Sequence, residues 1–157
     1  LQNLEPLSSQ PVEEVYSLFD AAQAMMRKGA YESAEAILLR FAEELPDHDH
    51  GLVWYELAEV FEHKGELQRA KTAYLRALEI EWNDIYALAY SSFLWEIGQE
   101  KEALSFLMEF EKRISAGAVA SPPGVSIDSM IDAIASGVPY EQFWADRWPP
   151  KGQNAAK

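Results

Sequence analysis

Apolar positions recur along most of the chain at intervals of three and four residues, and three stretches share one register. "GAYESAEAILLRF" from Gly29, "GELQRAKTAYLRA" from Gly65 and "GQEKEALSFLMEF" from Gly98 align without a gap. Each places alanine five residues after the glycine, at Ala34, Ala70 and Ala103, and a large side chain four residues later, at Leu38, Tyr74 and Leu107. Phe41, Ala77 or Phe110 follows three residues beyond. Upstream of each glycine runs a second periodic stretch, such as Trp54, Leu57, Ala58 and Phe61, which is one face of a helix. Glycine permits a tight turn between antiparallel helices, and the small alanine lets their backbones approach where they cross. The pattern therefore predicts three helix-turn-helix units, their glycines 36 and 33 residues apart. A single hairpin cannot bury apolar surface on both sides, so the units are expected to stack.

These residues resemble the signature of the tetratricopeptide repeat. The middle copy, about 51–83, carries it most fully, with Trp54, Leu57, Ala58, Phe61, Gly65, Ala70, Tyr74 and Ala77 at signature positions and Trp82 in place of the closing proline. The first copy, about 15–48, keeps Gly29, Tyr31, Ala34 and Pro46 but has Leu18 where the family has tryptophan. The third, about 84–115, is weaker, with Ser91 and Glu100 at positions that are usually small or apolar. The likeness covers roughly two-thirds of the chain and implies an all-α, right-handed solenoid of helical hairpins. It implies little about function, because repeat scaffolds serve many unrelated partners.

Outside the repeats, residues 1–12 read as an N-terminal extension whose first nine residues are expected to be mobile. Pro11 with Glu13 and Glu14 marks the first helix start. "SAGAVASPPG" makes 115–125 a linker, since the proline pair cannot continue a helix. In 126–148, Ile127, Met130, Ile131 and Ile134 share a helical face, and Pro139 opens a second segment bearing Phe143, Trp144 and Trp148. These helices are expected to cap the solenoid, and 149–157 to be a flexible tail. A rival role for Phe143, Trp144 or Trp148 is that of an interaction anchor, because exposed aromatics are typical hot spots.

At 157 residues the chain is long enough to bury a core as a single domain. Its 13 basic and 26 acidic residues give a net charge of −13, which argues against nucleic acid or an anionic membrane as partner. No cysteine is present, which excludes thiol catalysis and disulfide or Cys-based zinc scaffolds. No apolar run reaches the length of a membrane span, so membrane insertion is not expected. The first residue is Leu1, so a start or signal segment can have been lost; the compartment stays open, with the cytoplasm favoured.

Candidate chemistry is sparse. "PDHDHG", Pro46 to Gly51, gathers two histidines and two aspartates, yet it coincides with the junction between the first two repeats. Asp49 and His50 are the two residues by which that junction exceeds the family's period of about 34 residues. It reads as a hinge at which Asp47 or Asp49 can cap the next helix. Glu56, Glu59 and His63 form the nearest approach to a metal constellation, but no Glu-x-x-His recurs on another helix to complete it. No Ser-His-Asp set or phosphate-binding glycine loop is found, so no enzyme, metal or cofactor is expected. Pairs such as Glu66 with Arg69 read as ordinary solvated helix faces.

The resemblance also implies a concave groove lined by the first helix of each repeat. Its ligand-facing positions fall on Tyr16, Phe19, Gln23, Met26 and Arg27, then on Leu52, Tyr55, Glu59, Glu62 and His63. The third repeat adds Ile85, Leu88, Ser92, Trp95 and Glu96. Aromatic platforms beside Glu59, Glu62 and Glu96 suit a basic or amphipathic peptide. Family members that clamp an acidic chaperone terminus use Lys and Asn where this chain has Phe19 and Gln23, which excludes that subclass. The expected function is a non-enzymatic interaction scaffold, an adaptor or chaperone; the architecture is also similar to that of small secretion chaperones. The alternative is a structural assembly subunit, a homo-oligomer joined through its tail or solenoid ends.

Overall fold

A computed structural model describes residues 5–147. These form eight α-helices and no strand, and they fall into two compact units, within Leu1–Trp82 and within Asn83–Lys157. The third hairpin groups with the residues that follow it.

In the first unit, α1 (Val12–Arg27) packs on α2 (Tyr31–Glu44), α2 on α3 (His48–His63), and α3 on α4 (Leu67–Ile80). In the second, α5 (Asp84–Glu96) packs on α6 (Glu100–Ser115), and α6 on α7 (Ile127–Ala135). There α8 (Tyr140–Arg147) rests on α5 and α7. None of the helices among the described residues is long and apolar enough to cross a membrane.

The three hairpin turns close in the same way. Gly29, Gly65 and Gly98 have φ of 78°, 75° and 83°, and the amide after each glycine reaches back to the last turn of the preceding helix. These bonds run from Ala30 to Met25 O, Glu66 to Phe61 O and Gln99 to Leu94 O, which satisfies carbonyls that a helix end leaves unpaired. The shared side-chain positions all face inward. Ala34, Ala70, Ala103, Leu38, Leu107, Phe41, Ala77 and Phe110 are fully buried, and Tyr74 nearly so. Trp54 is only half-buried, with the Arg76 guanidinium 5.5 Å from its ring.

A charged clamp holds the first two hairpins together. Glu35 of α2, a buried carboxylate, receives Lys64 Nζ at 2.8 Å and lies 3.8 Å from Arg69. Arg69 binds Glu66 at 2.7 Å and covers the Phe61 ring at 4.1 Å. The charges around Glu66 and Arg69 thus do more than solvate a helix face.

The N-terminal extension also differs from expectation over its described part. Leu7 is buried in a short 3₁₀ turn, Leu7–Ser9, its amide donating to Glu44 Oε1 at 2.8 Å. Arg40 reaches Glu5 O at 2.6 Å, so residues 5–9 are pinned to α2. The Leu7 amide, then Arg40, hold the Glu44 carboxyl below its ordinary range.

At "PDHDHG" the backbone turns left-handed for three consecutive residues, with φ of 49° at Asp49, 56° at His50 and 83° at Gly51. Neither expected cap forms: Asp47 makes no side-chain capping bond, and Asp49 lies inside the left-handed run. This run turns the His48 ring inward, against Tyr16, Phe19 and Phe41 at centroid distances of 5.0, 5.0 and 4.9 Å. Its Nε2 is buried without a hydrogen-bond partner among the described residues, and burial pushes its pKa down, opposed by the charge of Asp49.

Because His48 is favoured neutral in the fold, its stabilising share is complete above the unfolded value near 6.5 and is lost as pH falls through the lower folded value. His48→Phe is expected to raise stability by about 0.5–1 kcal/mol and to flatten the fall in Tm between about pH 7.5 and about pH 5. A variant that melts earlier than the parent, or that keeps its acid sensitivity, would show that the ring is held by something other than apolar packing.

In the second unit, Met130, Ile127 and Ile134 of α7 are buried, as are Pro122 and Val125, so the proline-rich connection is packed. Asn83 caps α5 through the Tyr86 amide, and Ser126 caps α7 through Ser129.

Candidate functional site

In the first unit, α1, α2 and α3 enclose a half-open cavity of about 290 Å³. Gln23, Met26 and Arg27 enter it from α1, Tyr31 from the start of α2, and Glu56, Glu59 and His63 from α3. One helical turn separates Glu59 from His63 and slightly less separates Glu56 from Glu59, so α3 presents all three along one face. Of the groove positions that the repeat resemblance implies, Gln23, Met26, Arg27, Glu59 and His63 line this cavity together.

Glu56 and Tyr31 complete the cavity. Glu56 belongs to a Glu-x-x-Glu run that reads as a solvated face, and Tyr31 occupies a turn position that reads as part of the repeat itself.

The side chains are held by one another. Glu56 Oε1 accepts from Gln23 Nε2 at 2.9 Å. Tyr31 and His63 stack with centroids 4.1 Å apart and planes 18° from parallel, and the Tyr31 hydroxyl lies 3.0 Å from His63 Nε2. Further along the same face, the Tyr74 hydroxyl donates to Glu62, and Tyr55 shares a hydrogen bond with Glu59. Burial, then the neighbouring glutamates, push both phenols far above their ordinary range. They remain protonated donors, which orients two carboxylates in advance of any ligand.

Burial is also the main reason that the Glu56 carboxyl titrates high; the Gln23 bond opposes it, the charge of Glu59 adds to it, and Arg27 lowers it. Among the described residues no group of three or more His, Asp or Glu side chains is arranged to hold a metal ion.

The other groove positions are distributed unevenly. Tyr16 is exposed, its ring 5.0 Å from that of His48, and Leu52 is half-buried. Phe19 is a correction: at 2% exposure, edge-on to Phe41 at 5.3 Å, it serves the core and presents nothing to a ligand.

On α5 in the second unit, Ile85 and Glu96 are exposed, and Leu88 and Ser92 are half-buried. Trp95 is a second correction. It is 3% exposed beneath Phe143 at 5.0 Å and Tyr140 at 5.7 Å. Phe143 is itself buried inside its own chain, with the Arg147 guanidinium 3.4 Å above its ring, which removes it as an outward anchor. Trp144 is half-buried, edge-on to Phe143 at 5.0 Å, and Trp148 lies outside the described residues.

No protein-family model matches the chain, and no curated protein or solved structure matches it.

Proposed function

We propose that the chain is a non-enzymatic interaction module of the tetratricopeptide kind, a right-handed helical-hairpin solenoid that holds a basic or amphipathic peptide as an adaptor or chaperone does. The reading is supported by the convergence of Gln23, Arg27, Glu59 and His63, positions that the repeat resemblance implies for a groove, on one cavity. Carboxylates oriented in advance by tyrosine hydroxyls lose little freedom when a cation arrives, which favours binding. Self-association through the tail draws less support, since Phe143 packs within its own chain.

The test is an array of short basic, amphipathic and acidic peptides probed with the whole chain. Basic sequences are expected to be retained, and Glu59→Lys to weaken that retention at least about tenfold with helicity unchanged. Retention of acidic peptides, or of basic ones regardless of Glu59→Lys, would remove this face from consideration.

A further inference from the structure

We infer that the cavity between α1, α2 and α3 takes one arginine side chain of the partner segment, its guanidinium seated between Glu56 and Glu59; this rests on the peptide-binding reading of the same face. The two carboxylates lie three residues apart on α3 and both line the cavity. Gln23 and Tyr55 each engage one of them, which fixes their orientation. An ionised carboxylate accepts at both oxygens, so acceptor capacity remains.

Two like charges in a partly desolvated space repel each other, and a cation between them relieves that repulsion. Arg27 acts on Glu56 from the cavity wall, but among the described residues no basic side chain closes an ion pair with Glu56 or Glu59.

Shape selects within the class of cations. A planar guanidinium bridges two carboxylates with paired donors and tolerates partial desolvation better than an ammonium, which is more strongly hydrated. The stacked Tyr31 and His63 rings supply an aromatic wall, and Met26 an apolar contact for the methylene stem. A volume of about 290 Å³ admits one long side chain and some water, not a helix.

The probe is N-acetyl-arginine N-methylamide, titrated into the whole chain and followed by amide nitrogen-proton correlation spectra. Shifts are expected at the Gln23 side-chain amide and along α1 and α3 around Glu56 and Glu59, with a dissociation constant on the order of 1 mM. The citrulline counterpart, alike in shape but uncharged, is expected to bind at least about tenfold more weakly, and Glu59→Gln to weaken the arginine probe similarly. The same spectra report whether the variant stays folded.

Equal binding of the citrulline probe, shifts scattered over the acidic surface, or no shifts at all would overturn the assignment. A lysine counterpart that binds as tightly would overturn its guanidinium part. If the arginine probe fails while peptide retention still depends on Glu59, only the ligand falls and the peptide-binding reading stands. If the probe binds here while retention ignores Glu59→Lys, the guanidinium site stands, and the groove reading falls together with the claim that a partner segment supplies the arginine.

Discussion

Phe41→Ala is expected to destabilise the Leu1–Trp82 unit by about 3–5 kcal/mol, the largest loss foreseen for any single truncation in it. Phe41 has no exposed surface, meets Phe19 of α1 edge-on at 5.3 Å and lies 4.9 Å from the His48 ring. One side chain therefore joins α1, α2 and the junction that leads into α3. Its removal leaves a cavity that cannot collapse without moving three elements, and it discards aromatic contacts of about 0.5–1.5 kcal/mol each.

Against a total stability of about 5–15 kcal/mol, such a loss brings much of the unit near its unfolding midpoint. Urea unfolding combined with amide hydrogen exchange is the appropriate measurement, because a chain with two compact units need not melt in one step. Exchange is expected to quicken across α1, α2 and α3. Leu39→Ala on the exposed side of the same helix is the control, expected to stay within about 0.5 kcal/mol. A Phe41→Ala variant no weaker than this control would show that the aromatic cluster does not hold the first hairpin.

The helices and their turns were legible because their causes are local. A glycine at positive φ, an alanine five residues on and an apolar side chain at each following turn are contained in one short stretch, and all three copies fold alike. Phe19 and Trp95 were misread because the repeat resemblance states which positions of a helix face a groove in the family, not what covers them in this chain. The cover of Trp95 is Phe143 of α8, which comes from a distant part of the sequence.

Glu35, Lys64 and Arg69 look like surface charges in sequence, and only the packing of α2 on α3 makes them a clamp. His48 stands in a polar run, and its burial follows from the left-handed backbone immediately after it. In the candidate site, five of the seven lining residues stand at groove positions that the repeat resemblance implies. Glu56 was noticed beside Glu59 and His63 but not placed in the groove, because a carboxylate gives no local sign of being desolvated.

Gly51→Ala is expected to cost about 2–3 kcal/mol, more than the same change at any of the three hairpin glycines, around which an added Cβ meets nothing within 4 Å. Two effects add at this position. Gly51 has φ of 83°, where a residue bearing Cβ loses about 1–2 kcal/mol. A Cβ there would also meet Ile80 Cβ at 3.1 Å and Ala77 O at 3.3 Å, so the junction or the end of α4 must give way.

Gly29 separates the two effects, with φ of 78° and nothing within 4 Å of an added Cβ. Gly29→Ala is therefore expected to show the backbone cost alone, about 1 kcal/mol. The difference between the two alanine variants, read from urea midpoints at unchanged slope, measures how tightly "PDHDHG" is seated against α4. Asp49 and His50 already hold left-handed conformations that Asp and His adopt more readily than most residues, so the run has little room to shift its strain onto them. Equal losses at Gly51 and Gly29 would mean that the junction slides away from α4 at no cost, and that the close approach of the two contributes nothing to holding the second hairpin in place.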